Sequence, residues 1–279
     1  MAEGRATLEA AGVPEPARDA EVLLAHVLSV ESARLHAHPE TPVEPEAAGR
    51  YRALLARRSG REPLQYLTGV QEFWSLAFKV TPAVLIPRPE TEGIVEAFLR
   101  LNRAPGPVVL DIGTGSGCLA VVVAREVPGA RVFASDVSEE ALSVARDNAA
   151  ALGVSGHIRF RLGDLFEPHR GDALERAVDF ILANPPYVSH DEPARLMPEV
   201  RDHEPRTALV AGSDGLAVHR RLARGAADFL KPGAHLIAEI GLGQDAPLRD
   251  LYRDHARLDL AAIEPDLAGI PRVLIARAR

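Results

Sequence analysis

The amino-acid sequence predicts an α/β fold, a parallel sheet covered by helices on both faces, behind a smaller helical region. From Pro107 onward short apolar runs alternate with segments of helical spacing, the signature of parallel strands joined by crossover helices. A glycine-rich loop, Asp111 to Gly117, falls between the first of these runs and its helix. Ahead of this region, up to about Arg61, helical apolar spacing alternates with proline and charge.

Pro16 suits a first helical turn, and Val22, Leu23, Leu24, Val27 and Leu28 come after it at the spacing of one helix face. A proline-rich break from Pro39 to Pro45 precedes a second helix through Tyr51, Leu54 and Leu55. Phe73-Trp74 and the alternating Leu76, Phe78 and Val80 then predict a strand pair bridging two domains. Thr91, or the Pro89-Glu90 step, starts a helix carrying Ile94, Val95, Phe98 and Leu99. Next come a strand at Val108–Leu110, a helix at Leu119–Glu126, a strand at Arg131–Ser135 and a helix from Glu139 to about Leu152. After these lie strands at Ile158–Leu162 and Phe180–Ala183, a helix at Gly215–Leu230 and a strand at His235–Ile240. A helix at Leu248–His255 and a pair, Leu258–Glu264 with Val273–Arg277, close the chain.

At 279 residues, 47% of them apolar and 25% charged, the composition is that of a globular chain long enough for two domains. The first residues lack a basic stretch followed by an apolar one, and no apolar run reaches membrane-spanning length, so a cytoplasmic protein with no membrane partner is expected. One cysteine, Cys118, excludes an internal disulfide, and ten histidines without ligand spacing predict no metal. Residues 1–90 carry 10 basic against 12 acidic residues and the remainder 22 against 27, so the basic excess of most nucleic-acid binders is missing.

The chemistry concentrates at Asn184-Pro185-Pro186-Tyr187, where a strand stops at two prolines. Proline cannot continue a sheet ladder and fixes its own φ, so the chain just beyond Ala183 is held at a strand edge. The Asn184 side-chain carbonyl and the Pro185 main-chain carbonyl can each accept one hydrogen of a planar NH2 group, and the Tyr187 ring offers a face to stack on. These are the candidate catalytic residues, with Pro186 among those that bind the substrate. In the glycine loop, Gly113, Gly115 and Gly117 alternate, and Cys118 stands where a dinucleotide fingerprint wants a third small residue. That spacing fits a loop wrapped around the amino-acid end of S-adenosylmethionine, which has no pyrophosphate. Asp136 ends the second strand, where an acid can accept both ribose hydroxyls. Asp164 comes after the third strand and could take the adenine amino group, with Phe166 stacking on the ring. Asp111, Gly113, Thr114, Gly115, Gly117, Asp136, Asp164, Phe166 and Asn184 form the predicted cofactor set.

These motifs, with REPLQYLTG from Arg61, VLIPRPETE from Val84, HEPRTAL from His203, GSDGL from Gly212, EIG from Glu239 and the closing Asp266 to Arg272, resemble the N5-glutamine methyltransferases of peptide chain release factors, the PrmC or HemK family. The likeness covers nearly the whole chain after the first helices. It implies a helical substrate-recognition domain over 1–69, a β-hairpin linker over 70–90 and a seven-stranded class I, Rossmann-like S-adenosylmethionine-dependent methyltransferase domain over 91–279. It also implies the glutamine of the Gly-Gly-Gln loop of class 1 release factors as substrate, gripped by Asn184, Pro185 and Tyr187. On this likeness Arg88 and Glu90 are expected to lie over the pocket and help position that glutamine. The rival readings are an adenine-N6 DNA methyltransferase, a guanine-N2 methyltransferase of ribosomal RNA, and a cofactor-binding translation scaffold without chemistry. The first two lack a basic excess, and a complete NPPY argues against the third.

Overall fold

Pro16 and Pro45 stand at the first turn of two helices, where a missing N–H costs nothing. The computed structural model describes residues 1–279 except Asp172, Pro193 and Arg195, and the chain divides into two compact units. The first comprises Met1–Val70 with Met197–His203. Its helices are α1 (Ala2–Ala10), α2 (Pro16–Leu28), α3 (Ser32–Ala37), α4 (Pro45–Ser59) and α5 (Leu64–Thr68), together with a short helix at Pro198–His203. Leu8, Leu23, Leu24, Tyr51, Leu55 and Leu67 meet in its core. The sequence pattern reveals α2 and α4 but none of the other three. α3 and α5 are too short to show a period, and α1 buries only Gly4 and Leu8.

Charge holds this unit together as well. The Arg58 side chain, 6% exposed, donates from Nε to Asp19 Oδ2 at 2.7 Å and from Nη2 to Glu199 Oε1 at 3.0 Å. Arg61 forks onto the same Glu199 carboxylate at 2.9 and 2.7 Å. Burial alone would raise the Glu199 carboxyl, but the Arg61 and Arg58 hydrogen bonds outweigh it and hold the group below its ordinary value.

The second unit spans Gln71–Leu196 and Glu204–Arg279. Strands β1 (Val70–Phe73) and β2 (Leu76–Lys79) form a separate two-stranded sheet. Their turn places Trp74 and Ser75 at φ 54° and 56°, the left-handed pair that a two-residue primed turn requires. Hydrogen bonds from the Trp74 main-chain N–H to Glu92 and from its indole to Glu126 hold this conformation. Thereafter come α6 (Glu92–Leu101), β3 (Val108–Ile112), α7 (Cys118–Glu126), β4 (Arg131–Asp136), α8 (Glu139–Ala151), β5 (Ile158–Leu162) and β6 (Val178–Ala183). The chain passes through α9 (Pro198–His203), the short helix of the first unit, and continues with α10 (Ala217–Phe229), β7 (Leu230–Glu239), α11 (Asp245–Arg253), β8 (Leu258–Pro265) and β9 (Pro271–Ala278).

The seven strands lie in the order β5-β4-β3-β6-β7-β9-β8, parallel except for β9, which is antiparallel to both neighbours. Alternate strand residues enter two cores. Leu110, Ile181 and Leu236 pack with Phe229 of α10 and Leu248 of α11. Val109, Leu182 and Ile237 pack with Phe98 of α6 and Val122 of α7. One boundary moves well beyond expectation: β7 begins at Leu230, five residues before His235. Pro232 and Gly233 disguise this stretch in the sequence, and the register along β6 shifts there, Val178 facing Leu230 but Phe180 facing His235.

Candidate active site

Sheet register brings the functional residues together. Ile112 at the end of β3 pairs with Ser135 of β4 and with Ala183 of β6, so the next residues along each strand, Gly113, Asp136 and Asn184, emerge side by side. Ala183 also pairs with Ala238, which brings Glu239 of β7 to the same edge. The chain steps from β3 outward to β4 and β5, then returns to β6 on the other side of β3. That reversal leaves a crevice at the carboxyl ends of the strands, where open α/β sheets take their ligands.

The crevice holds a cavity of about 430 Å³, within the range of small-molecule sites. Gly113, Thr114 and Gly115 form one wall, Asp136 and Asp164 the rim, and Asn184 and Pro186 the opposite side. Gly113 and Gly115 sit at φ 75° and 55°, and a Cβ on either would meet no protein atom within 4 Å. Their missing side chains leave room that a ligand can use. Gly117 has another reason: a Cβ there would come within 3.0 Å of the Ala145 Cβ, so it allows α7 to start hard against α8. Asp136 accepts main-chain hydrogen bonds from Gly115 at 2.9 Å and Ser138 at 3.0 Å, one per oxygen. A carboxylate has about four acceptor sites, so both oxygens retain capacity for a pair of hydroxyls. Open glycines, a rim carboxylate and the cavity's size fit S-adenosylmethionine. A Gly115→Ala variant is expected to lose roughly 1–2 kcal/mol to left-handed strain. It should also bind the cofactor about tenfold or more weakly by calorimetry, since a methyl group would stand in the cavity wall; unchanged affinity would contradict this assignment.

Asp111 lies beneath the loop and does not line the cavity. Its Oδ2 accepts from Thr114 Oγ1 at 2.5 Å and from the Ala120 N–H at 3.2 Å, tying the loop to the first turn of α7. Burial pushes its carboxyl up to about 7 against the pull of those two donors.

Across the crevice, the NPPY segment is clamped from several sides. Asn184 Nδ2 donates to Thr91 Oγ1 at 3.0 Å, and Thr91 Oγ1 donates to Glu239 Oε2 at 2.6 Å. Gln244 Nε2 donates to the Tyr187 carbonyl at 3.0 Å and to the Gly215 carbonyl at 3.2 Å, while its Oε1 accepts from the Gly241 N–H at 2.9 Å. Val188 pairs with the 209–211 stretch through Val188 N–H to Leu209 and Ala211 N–H to Val188. Burial, with Glu239 nearby, pushes the Tyr187 phenol up to about 12, so it stays neutral and offers a ring rather than a base.

Not every expected residue reaches the cavity. Phe166 stacks on Phe229 at 5.2 Å inside the core, and its neighbour Leu165, at φ 50°, lines the cavity instead. Asp164 is on the rim but shares a 2.6 Å ion pair with Arg221. Pro185 is buried, and Tyr187 lies against Gly241, where a Cβ would come within 3.0 Å of its ring. Of the 88–91 loop, Thr91 lines the cavity while Glu90 is exposed. Arg88 is held by the buried carboxylate of Glu204, which also accepts from the Ile86 N–H. Sequence reasoning gave Thr91 no role beyond a helix start and a place in the 88–91 loop, and it assigned no role to Glu239, Glu204 or Gln244, although the first two lie in the EIG and HEPRTAL motifs. A lone acid ending an otherwise apolar strand, as in Ile237-Ala238-Glu239, is the signal that points to Glu239. Among the described residues no cluster of three or more His, Cys, Asp or Glu side chains could hold a metal, and no helix is long and apolar enough to cross a membrane.

Comparison with known proteins identifies the family. The family model described as PrmC N-terminal domain matches residues 1–69, and that described as Methyltransferase small domain matches residues 95–200. A release factor glutamine methyltransferase of Cereibacter sphaeroides is 47% identical over 97% of this chain and 94% of its own length. The protein of that name from Moorella thermoacetica is 44% identical over 100% of this chain and 97% of its own. Among solved structures, a methyltransferase from Pyrococcus furiosus superposes with TM-score 0.54 at 18% identity, covering 81% of this chain and 96% of that one. The hMettl16 catalytic domain gives TM-score 0.58 at 18% identity over 81% of each chain. Those two establish the methyltransferase fold. On the full-length identities, the chain belongs to the release factor glutamine methyltransferase family.

Proposed function

We propose that this enzyme transfers the methyl group of S-adenosylmethionine to the side-chain amide nitrogen of the glutamine in the Gly-Gly-Gln loop of class 1 peptide chain release factors. The observation that carries the reading is the fixed NPPY segment facing the glycine loop across one cavity. Gly113, Thr114, Gly115, Asp136 and Asp164 are the residues that would hold the cofactor, with Leu165 rather than Phe166 beside the adenine. Bound there, the cofactor supplies an electrophilic methyl carbon on a cationic sulfur.

The chain's own residues do the rest. An amide nitrogen is a weak nucleophile because its lone pair is delocalised into the carbonyl. Asn184 Oδ1 and the Pro185 carbonyl, each accepting one N–H, would fit the more tetrahedral nitrogen of the transition state better than the flat ground-state amide, which is differential binding. The neutral Tyr187 ring, packed against Gly241 behind the cavity lining, would give the amide plane a surface only if it turned toward the substrate, and Arg88 stays paired with Glu204 outside that lining. The helical unit, residues 1–69 in the expected division, would dock the release factor, and residues 70–90 would link it to the catalytic part.

The test is methyl transfer to purified unmethylated release factor, with DNA and ribosomal RNA as parallel acceptors. Label in the release factor alone is the expected result. Label in nucleic acid would keep the NPPY chemistry and overturn the substrate; no turnover on any acceptor would favour a scaffold.

A further inference from the structure

Asn184 can do its work only one way round. Rotated by half a turn, the same side chain would present an NH2 group to the incoming NH2, and the two would repel. Shape barely distinguishes the two orientations, so the hydrogen-bonding neighbours must.

We propose that Thr91 and Glu239 are positioning residues that fix the Asn184 amide with its nitrogen toward the protein and its carbonyl oxygen toward the substrate amide. The inference rests on the amide-methylation reading above and deepens it. An ionised Glu239 can only accept, so the Thr91 hydroxyl hydrogen is committed to it at 2.6 Å. The Thr91 oxygen is then left as an acceptor, and Asn184 must turn its Nδ2 to it at 3.0 Å. Thr91 and Glu239 are both 2% exposed, which shuts out water as a competing partner. Thr91 also stands at the N-cap of α6, where a threonine hydroxyl ordinarily bonds the helix's free N–H groups, yet it makes no such bond. Its hydroxyl is diverted to the relay. The 3-10 turn Pro89–Thr91 and the β-branched side chain fix where that hydroxyl points. The EIG glutamate and the NPPY asparagine thereby meet at one atom, the hydroxyl oxygen of Thr91.

The relay is sensitive to protons. Burial pushes the Glu239 carboxyl up to about 7, opposed by the Thr91 hydrogen bond and by Arg272 and Arg88, and reinforced by Glu90. Tyr187 and Cys118, both raised by burial and by Glu239 among their charged neighbours, stay protonated, and His219, which faces the Glu239 main chain, is neutral with its ring pushed down to about 4. Protonated Glu239 gains an O–H to donate to Thr91. The Thr91 hydrogen is then free to point at Asn184, which favours the wrong rotamer. Turnover should therefore be low below pH 7 and rise as Glu239 ionises.

The experiment compares wild type with Thr91→Val, Thr91→Ser and Glu239→Gln in the full chain. Thr91→Val keeps the shape and removes the hydroxyl, so kcat is expected to fall by about tenfold, the value of one hydrogen bond, with cofactor affinity retained. Thr91→Ser should restore most of it. Glu239→Gln should abolish the acid limb; a limb that survives would belong to another carboxyl raised by burial, such as Asp111 or Glu204, and would overturn the protonation argument. In a second readout that needs no substrate, the Asn184 side-chain NH2 protons, seen by 15N NMR, should exchange slowly in wild type and Thr91→Ser and fast in Thr91→Val. Wild-type kcat together with slow exchange in Thr91→Val would overturn the proposal. A wild-type enzyme that ignores release factors would instead overturn the substrate reading and leave the exchange result to judge the relay.

Discussion

Asn184→Ala is expected to slow methyl transfer by roughly 10²–10³-fold while leaving cofactor binding within about twofold, since it removes one preorganised partner of the reacting group. Asn184 sits half-buried at the cavity edge, held through Thr91, and it faces the substrate side of the crevice as well as the glycine loop. Removing its side chain empties one of the two acceptor positions without touching Asp136 or the loop. Single-turnover rates with saturating cofactor measure this directly. A loss below about fivefold would mean that Asn184 is a wall and not a grip.

Arg58→Ala is expected to be the most destabilising change outside the sheet. Its guanidinium compensates two buried carboxylates, and breaking such a pair from one side costs about 3–5 kcal/mol because the remaining charge is left in low dielectric. Arg61 continues to hold Glu199, so Asp19, at the start of α2, should suffer most. Because the chain comprises two units, one unfolding midpoint is the wrong observable. Hydrogen exchange of the α2 and α4 amides separates the helical unit from the sheet. Faster exchange there, with the β3 and β6 amides unchanged, is the expected outcome; protection within about 1 kcal/mol of wild type would show that the arginine is dispensable. Glu199 gives the same unit a pH dependence. Its carboxyl is held below the ordinary value, so its contribution is present above the unfolded pKa of about 4.3 and fades as pH falls through the folded one.

Much of the catalytic half can be read in the sequence because its signals are local. A strand that stops at two prolines and a glycine run after another strand each declare themselves within a few residues. Sheet order and register then place them side by side, and the β3 to β6 pairing of Ile112 with Ala183 supplies the part that no local pattern contains. Where a role depends on a one-residue choice in an aperiodic turn, the sequence is silent. Phe166 and Leu165 are adjacent, and only the left-handed φ of Leu165 decides that it faces the cavity while the phenyl ring enters the core. Thr91 reads as a helix start because threonine favours that position, and its diversion to Glu239 is a long-range event across 148 residues. For the same reason α9 gives no hint that it belongs with the helical unit, since its tie is the pairing of Glu199 with two arginines more than a hundred residues earlier.

The most direct test of the central claim is to find the atom that receives the methyl group. Release factor with 15N-labelled glutamine side chains, incubated with the enzyme and 13C-methyl S-adenosylmethionine, should show one new carbon bonded to one amide nitrogen, mapped by fragmentation to the Gly-Gly-Gln glutamine and formed roughly 10²–10³-fold more slowly with Asn184→Ala. A methyl group on any other atom, or transfer that persists undiminished in Asn184→Ala, would contradict the account.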